Sequence, residues 1–308
     1  MENIFYSIII PHHNIPHLLK RCLDSIPQRQ DMEIVIVDDN SDPHIVDFDH
    51  FPGKERQDTI IILDKKGGGG GYARNLALQV IKGKKVLFAD ADDYFNPCLS
   101  EILNDYRDDD TADIVFFKAN SVYTNTYLPA ERHQLINSWN DEFFHNLKQG
   151  ELSLRYRFGG PVCKLIKRSL ITDNHISFDE TPIHNDTRFS YLIGFHAQRI
   201  KADNRALYMI TEREGSTCRV QSVENSMVRI KVFGEKALFL LNHHIPVTEE
   251  LHIKQLISFQ KSKDKSLYPK AMKMLSDMGH RPVELKKQLV RKKLWNQLYD
   301  IKHLWGLI

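Results

Sequence analysis

Three aspartates stand within four residues in the segment FADADDYF: Asp90, Asp92 and Asp93. Carboxylates this close repel one another, which destabilises the chain unless a cation or several hydrogen-bond donors offset the charge. A hard divalent ion, Mg²⁺ or Mn²⁺, is one solution, because it takes one or two protein carboxylates and completes its shell with water and phosphate oxygens. Such a site suggests a diphosphate substrate. Three more clusters carry polar or glycine-rich chemistry: Pro11-His12-His13-Asn14, Asp38-Asp39-Asn40-Ser41, and the glycines Gly67 to Gly71 leading to Arg74. Each also has a purely structural reading, since Asp, Asn and Ser after a strand commonly cap a helix or make a turn.

The glycine run raises its own alternatives. Gly68-x-Gly70-x-x-Ala73 satisfies the dinucleotide fingerprint, and Asp90 ends the next strand about 20 residues on, so an NAD-dependent oxidoreductase is one reading. Five consecutive glycines satisfy almost any glycine pattern, however, and no Gly-Lys-Ser/Thr follows to make a Walker loop. The other reading is a loop whose backbone can come close to a ligand, with Arg74 in the first helical turn as an anion contact.

The elements that must position these residues are legible from periodicity. YSIIIP, EIVIVDD, TIIIL, KVLFAD and DIVFFKA read as buried strands. Between them, Leu18, Leu19, Cys22, Leu23 and Ile26, and then Ala73, Leu76, Ala77 and Val80, fall at helical spacing, and Asn96-Pro97 reads as a helix start with Asn at the N-cap. Apolar strands alternating with helices predict a mostly parallel sheet covered on both faces. In such a sheet ligands bind beyond the carboxyl ends of the strands, where each of the clusters above falls. From about residue 219 the pattern is wholly helical, which places a domain boundary near Cys218.

In this order, SIIIPHHNIPHLLKRCLDSI, EIVIVDDNSD, GGYARNLAL and VLFADADDYF resemble the inverting family 2 glycosyltransferases of GT-A fold, and GGPVCKLIKRSLI, ISFDE, HNDTRFSYLIG and REGSTCR extend the resemblance. It implies a GT-A catalytic domain over residues 1–218 and a helical extension over 219–308. It also implies roles. Pro11, His13 and Asn14 would line the nucleotide pocket, with Asp39 facing the base, Asp38 nearby and Arg74 close to the donor. Asp90, followed by Ala91, would contact the ribose or the metal, and Asp92 would hold the Mn²⁺ or Mg²⁺ that bridges the two phosphates. Asp186 matches the second acidic position of the family's Glu-Asp pair, which serves as general base. The chain departs from the pattern at Asn185 (usually Glu), His13 (usually Tyr) and Cys163 (usually Trp), and Asp179 and Glu180 are other carboxylates near the base position. The activity implied is transfer of a hexose or N-acetylhexosamine from a UDP-sugar, or failing that another nucleotide-diphosphate sugar, to a glycan or lipid-linked saccharide. A non-catalytic nucleotide-sugar-binding protein is the remaining alternative.

The whole chain adds bounds. Its 308 residues carry a formal net charge of +2, so nothing global argues for nucleic acid. Four scattered cysteines without a CxxC pair, and an N-terminal apolar run too short for a signal peptide, predict reduced thiols and a cytoplasmic chain. Near the C-terminus, Val290, Leu294, Leu298, Ile301, Trp305 and Ile308 share one helical face beside Lys286, Lys287, Arg291, Lys292, Lys293 and Lys302. That face reads either as a core stripe with a solvated basic rim or as a peripheral contact with the cytoplasmic face of a membrane.

Overall fold

A computed structural model describes residues 4–213 and 222–304, without the side chains of 297–304. The chain divides into two compact units, Met1–Ser216 and Thr217–Ile308.

The first unit opens with β1 (Tyr6–His12), α1 (Pro16–Asp24), β2 (Met32–Asp39), β3 (Thr59–Asp64), α2 (Gly69–Leu78) and β4 (Lys85–Phe88). It continues through β5 (Tyr94–Phe95), α3 (Leu99–Asp105), β6 (Ile114–Tyr123), α4 (Gln134–His145) and α5 (Leu147–Tyr156). It ends with β7 (Lys164–Lys167), α6 (Arg168–Thr172), α7 (Thr187–His196) and β8 (Ile200–Glu212). One eight-stranded sheet runs in the order β3-β2-β1-β4-β7-β6-β8-β5. Its first four strands are parallel, as apolar strands separated by helical crossovers require. Ile8, Ile9 and Ile10 of β1, Ile34 to Val37 of β2 and Val86 of β4 have no exposed surface, and each such side chain stabilises the sheet by roughly 1.5–3 kcal/mol.

Beyond β4 the structure departs from a simple parallel reading. β7 is antiparallel to both β4 and β6, and β8 runs parallel to β6 along most of its length. β8 has no counterpart among the predicted strands, because its first half, IKADNRA, is polar and only half buried. Two local expectations also change. Helix α3 starts at Leu99 rather than at Pro97, and the Asn96 side chain donates instead to Ala206 O at 2.8 Å, tying β5 to β8. The glycine run is not a loop throughout: Gly69 to Gly71 form the first turn of α2, which moves Arg74 to the second turn.

The second unit consists of α8 (Val223–Asn242), α9 (Leu251–Lys261), α10 (Leu267–Asp277) and α11 (Pro282–Leu304). Ile230, Ile253, Leu256, Ala271, Leu275, Leu285 and Leu289 form its core. No helix among the described residues is long and apolar enough to cross a membrane. Cys22, Cys98 and Cys163 are free thiols, and Cys218 lies outside the described residues.

Candidate active site

The ends of β1 and β2 form one knit turn region, because the register sets His12 opposite Asp38. His12 is buried. Its Nε2 accepts the Ile15 N–H at 3.1 Å, which leaves the ring proton on Nδ1 to be donated to Asp38 Oδ2 at 2.7 Å. Ser41 donates its N–H to Asp38 Oδ1 at 3.0 Å and its hydroxyl to Oδ2 at 2.6 Å. Burial works to raise the Asp38 carboxyl, but the hydrogen bonds from His12 and Ser41 outweigh it and hold the group below the ordinary carboxylate value. Asp38, which the resemblance puts near the pocket, is 1% exposed with both oxygens engaged inside the turn.

The neighbouring residues remain open. His13 is exposed, donates from Nδ1 to Asp39 O at 2.8 Å, and accepts at Nε2 from Asn14 Nδ2 at 2.9 Å. Asn14 takes a positive φ of 57°, which Asn tolerates, and joins the two turns through its N–H to Ser41 Oγ and its Oδ1 from the Asp42 N–H. Pro11 is half-buried at the end of β1. Asp39 accepts the Gly69 N–H at 2.8 Å on Oδ2, so it caps α2, whereas its Oδ1 is buried with no hydrogen-bond partner among the described residues. An acceptor in that state is costly, by about 1–3 kcal/mol, and a ligand N–H would relieve it.

The three aspartates after β4 meet three different partners. Asp90 pairs with Arg74 Nη2 at 2.6 Å, and its N–H donates to the buried Tyr208 hydroxyl at 2.8 Å. Asp92 lies 3.1 Å from Arg213 Nε. Asp93 is buried and accepts the Thr211 N–H at 2.7 Å. Burial first, then the Asp90 charge, push the Asp92 carboxyl above the ordinary aspartate value against the pull of Arg213. Burial, Asp90 and Asp92 push Asp93 well above it. The repulsion expected within this cluster is therefore offset in part by two arginines and a backbone N–H. Ala91 is 3% exposed and can offer a ligand only its backbone. Arg74 is itself buried, with Nη1 3.3 Å from Asn185 Oδ1, its guanidinium over the Phe178 ring and Nε without a partner among the described residues.

Asp186 stands at the N-cap of α7 but makes no capping hydrogen bond, and among the described residues no ion pair holds it. Burial raises its carboxyl, Arg74 and Lys164 lower it, Asp90 raises it, and the net is upward. The other nearby carboxylates are occupied: Asp179 lies 3.5 Å from Arg188 and Glu180 3.6 Å from Lys66. The segment before Asp186 is held by α2. Asn75 exchanges two hydrogen bonds with the Phe178 backbone, 2.8 Å from its N–H and 3.0 Å to its carbonyl. A Cβ on Gly71 would fall 1.9 Å from Asp179 O. Asn75, Tyr208, Thr211 and Arg213 were not among the expected site residues. Asn75 and Arg213 sit in quoted motifs, while Tyr208 and Thr211 belong to the unforeseen strand β8.

The chain is similar to several known proteins. The glycosyltransferase EpsJ of Bacillus subtilis is 26% identical over 221 residues, 70% of this chain and 63% of its own length. The poly(ribitol-phosphate) beta-N-acetylglucosaminyltransferase TarS of Staphylococcus aureus is 26% identical over 222 residues, 68% of this chain and 36% of its own length. The chain thus spans less than two thirds of the length of these relatives. A crystal structure of S. aureus TarS in complex with UDP-GlcNAc superposes with a TM-score of 0.63 at 21% identity, covering 88% of this chain and 80% of that one. The mannosyltransferase PcManGT of Pyrobaculum calidifontis, in complex with GDP-Man and Mn²⁺, gives 0.57 at 15% identity, covering 97% and 82%. These likenesses show the GT-A fold. The family model described as glycosyl transferase family 2 matches residues 7–173, more than half of the chain, and the chain belongs to that family.

Proposed function

We propose that this chain is an inverting transferase that moves a hexose or N-acetylhexosamine from a UDP-sugar to a hydroxyl of a glycan or lipid-linked saccharide. Residues 1–218 form the catalytic part on this reading, and 219–308 the helical extension. The observation that carries it is Asp186, a carboxylate free of capping and pairing duties beside the Arg74–Asp90 pair. An acceptor hydroxyl is a weak nucleophile, and a carboxylate within hydrogen-bond reach takes its proton as attack proceeds. Direct displacement at the anomeric carbon needs only that one base and gives inversion.

The remaining residues suit the donor. Asp39 Oδ1, buried without a partner, offers an acceptor to a base N–H, and His13 and Asn14 border it. Asp90 and Asp92 offer hard oxygen donors, with side chains 41% and 26% exposed. Among the described residues no group of three or more His, Cys, Asp or Glu side chains can hold a metal. An ion of the Mg²⁺ or Mn²⁺ kind takes few protein ligands and relies on phosphate and water for the rest of its shell. When bound, the ion stabilises the charge on the departing diphosphate as a Lewis acid. Arg74 holds Asp90 in place, and Arg213 must give up Asp92 where the carboxylate turns to a cation.

A nicotinamide reading gains nothing from the fold. The glycine run follows the edge strand β3, not a strand at the point where the order reverses between β1 and β4, and Gly71 is required by its approach to Asp179. Thermal shift with UDP, GDP and NAD, each with and without Mn²⁺, separates the readings. The expected result is stabilisation by UDP only in the presence of metal. Stabilisation by NAD regardless of metal would contradict the proposal.

A further inference from the structure

Helix α11 has two apolar faces. Leu285 and Leu289 are 1% and 3% exposed and belong to the helical core. On the opposite side of the helix Val283, Val290 and Leu294 are 61%, 57% and 54% exposed. Their spacing of i, i+7 and i+11 places all three within an arc of about 40°. The expectation of a core stripe through Val290 and Leu294 is thus corrected: the core takes the other face, which already satisfies the helix's need for burial. Leu298, Ile301, Trp305 and Ile308 of that expectation lie outside the described side chains.

Cations border this exposed row on both sides. Helical geometry sets Lys286 and Lys293 on one flank and Lys287 and Arg291 on the other, all of them exposed. Lys287 pairs with Glu284 at 3.1 Å, while Lys286, Arg291 and Lys293 make no ion pair among the described residues. Three side chains are too little for a protein partner, since stable interfaces bury about 800 Å² on each side. They suit the boundary of an anionic bilayer, where a helix lies in the plane, inserts a narrow apolar strip and sets its cations among the headgroups.

We infer that the Val283–Val290–Leu294 face of α11 docks on an anionic lipid surface. This gives the membrane contact expected of the basic helix a definite face, and it stands independently of the donor assignment. A seat on lipid would bring the catalytic unit to acceptors carried on that surface.

The test is cosedimentation of the full chain, without nucleotide, with vesicles of phosphatidylcholine alone or of phosphatidylcholine and phosphatidylglycerol at three to one. Binding to the anionic vesicles only is expected, weakened by salt and lost in V290D/L294D, whose circular dichroism should match the parent because both sites are exposed. Neutralising Lys286 and Lys293 should weaken partitioning about fivefold for each cation. A chain left in the supernatant with both lipids, or binding that V290D/L294D retains, would overturn the inference. So would a dimer in light scattering that the same double variant dissolves without any vesicle binding, which would assign the face to a second copy. UDP and Mn²⁺ take no part in this assay, so its failure leaves the donor reading standing.

Discussion

At the scale of single residues, the site is a set of carboxylates distinguished by their partners. Asp38 is held by His12 and Ser41, Asp39 by the α2 N-terminus on one oxygen, Asp90 by Arg74 and Asp92 by Arg213, while among the described residues no ion pair or capping bond holds Asp186. The sequence shows the types and their positions after strands, but partners from distant segments are invisible to it. Hence Asp38 and Asp39 look equivalent in sequence and differ in space. Substitution of Asp186 by Asn should abolish transfer while leaving metal-dependent UDP stabilisation intact, and loss of both together would mark the residue as structural. Its carboxyl is raised by burial above the ordinary aspartate value, and a base acts only when ionised. The acid limb of kcat/KM should therefore fall with decreasing pH through a midpoint above the ordinary aspartate value. An acid limb at or below the ordinary aspartate value would argue against Asp186 as the base.

At the scale of elements, β1, β2, β4 and helices α1 and α2 were legible because their apolar periodicity is strong and local. β8 was not, since its polar first half is supported by pairing with β6 at Ile200, Lys201, Ala202, Asp203 and Ala206, a long-range contact that no local pattern announces. The glycine run was seen and its meaning was not. Its third to fifth members start a helix, and Gly71 is dictated by Asp179, more than 100 residues away. Replacing Gly71 by Ala should displace the 178–186 segment, destabilise the fold by about 1–3 kcal/mol and lower activity well beyond what that loss explains. Denaturant midpoints and initial rates check both parts, and an active variant of unchanged stability would show that the close approach is not needed.

At the scale of the whole molecule, the crossovers put the candidate donor contacts other than Arg74 at the carboxyl ends of β1, β2 and β4, with the sheet core fixing their spacing. The alternation of strands and helices was enough to foresee that arrangement, whereas the antiparallel entry of β7 and the choice of the Leu285–Leu289 face of α11 for the core depend on tertiary packing. The most direct measurement is a crystal structure of the chain with UDP and manganese. The expected result is the uracil against Asp39 Oδ1, the ion on Asp92 with Arg213 turned away, and the diphosphate between them. A nucleotide bound elsewhere, with Asp92 still paired to Arg213 and no ion beside it, would contradict the assignment.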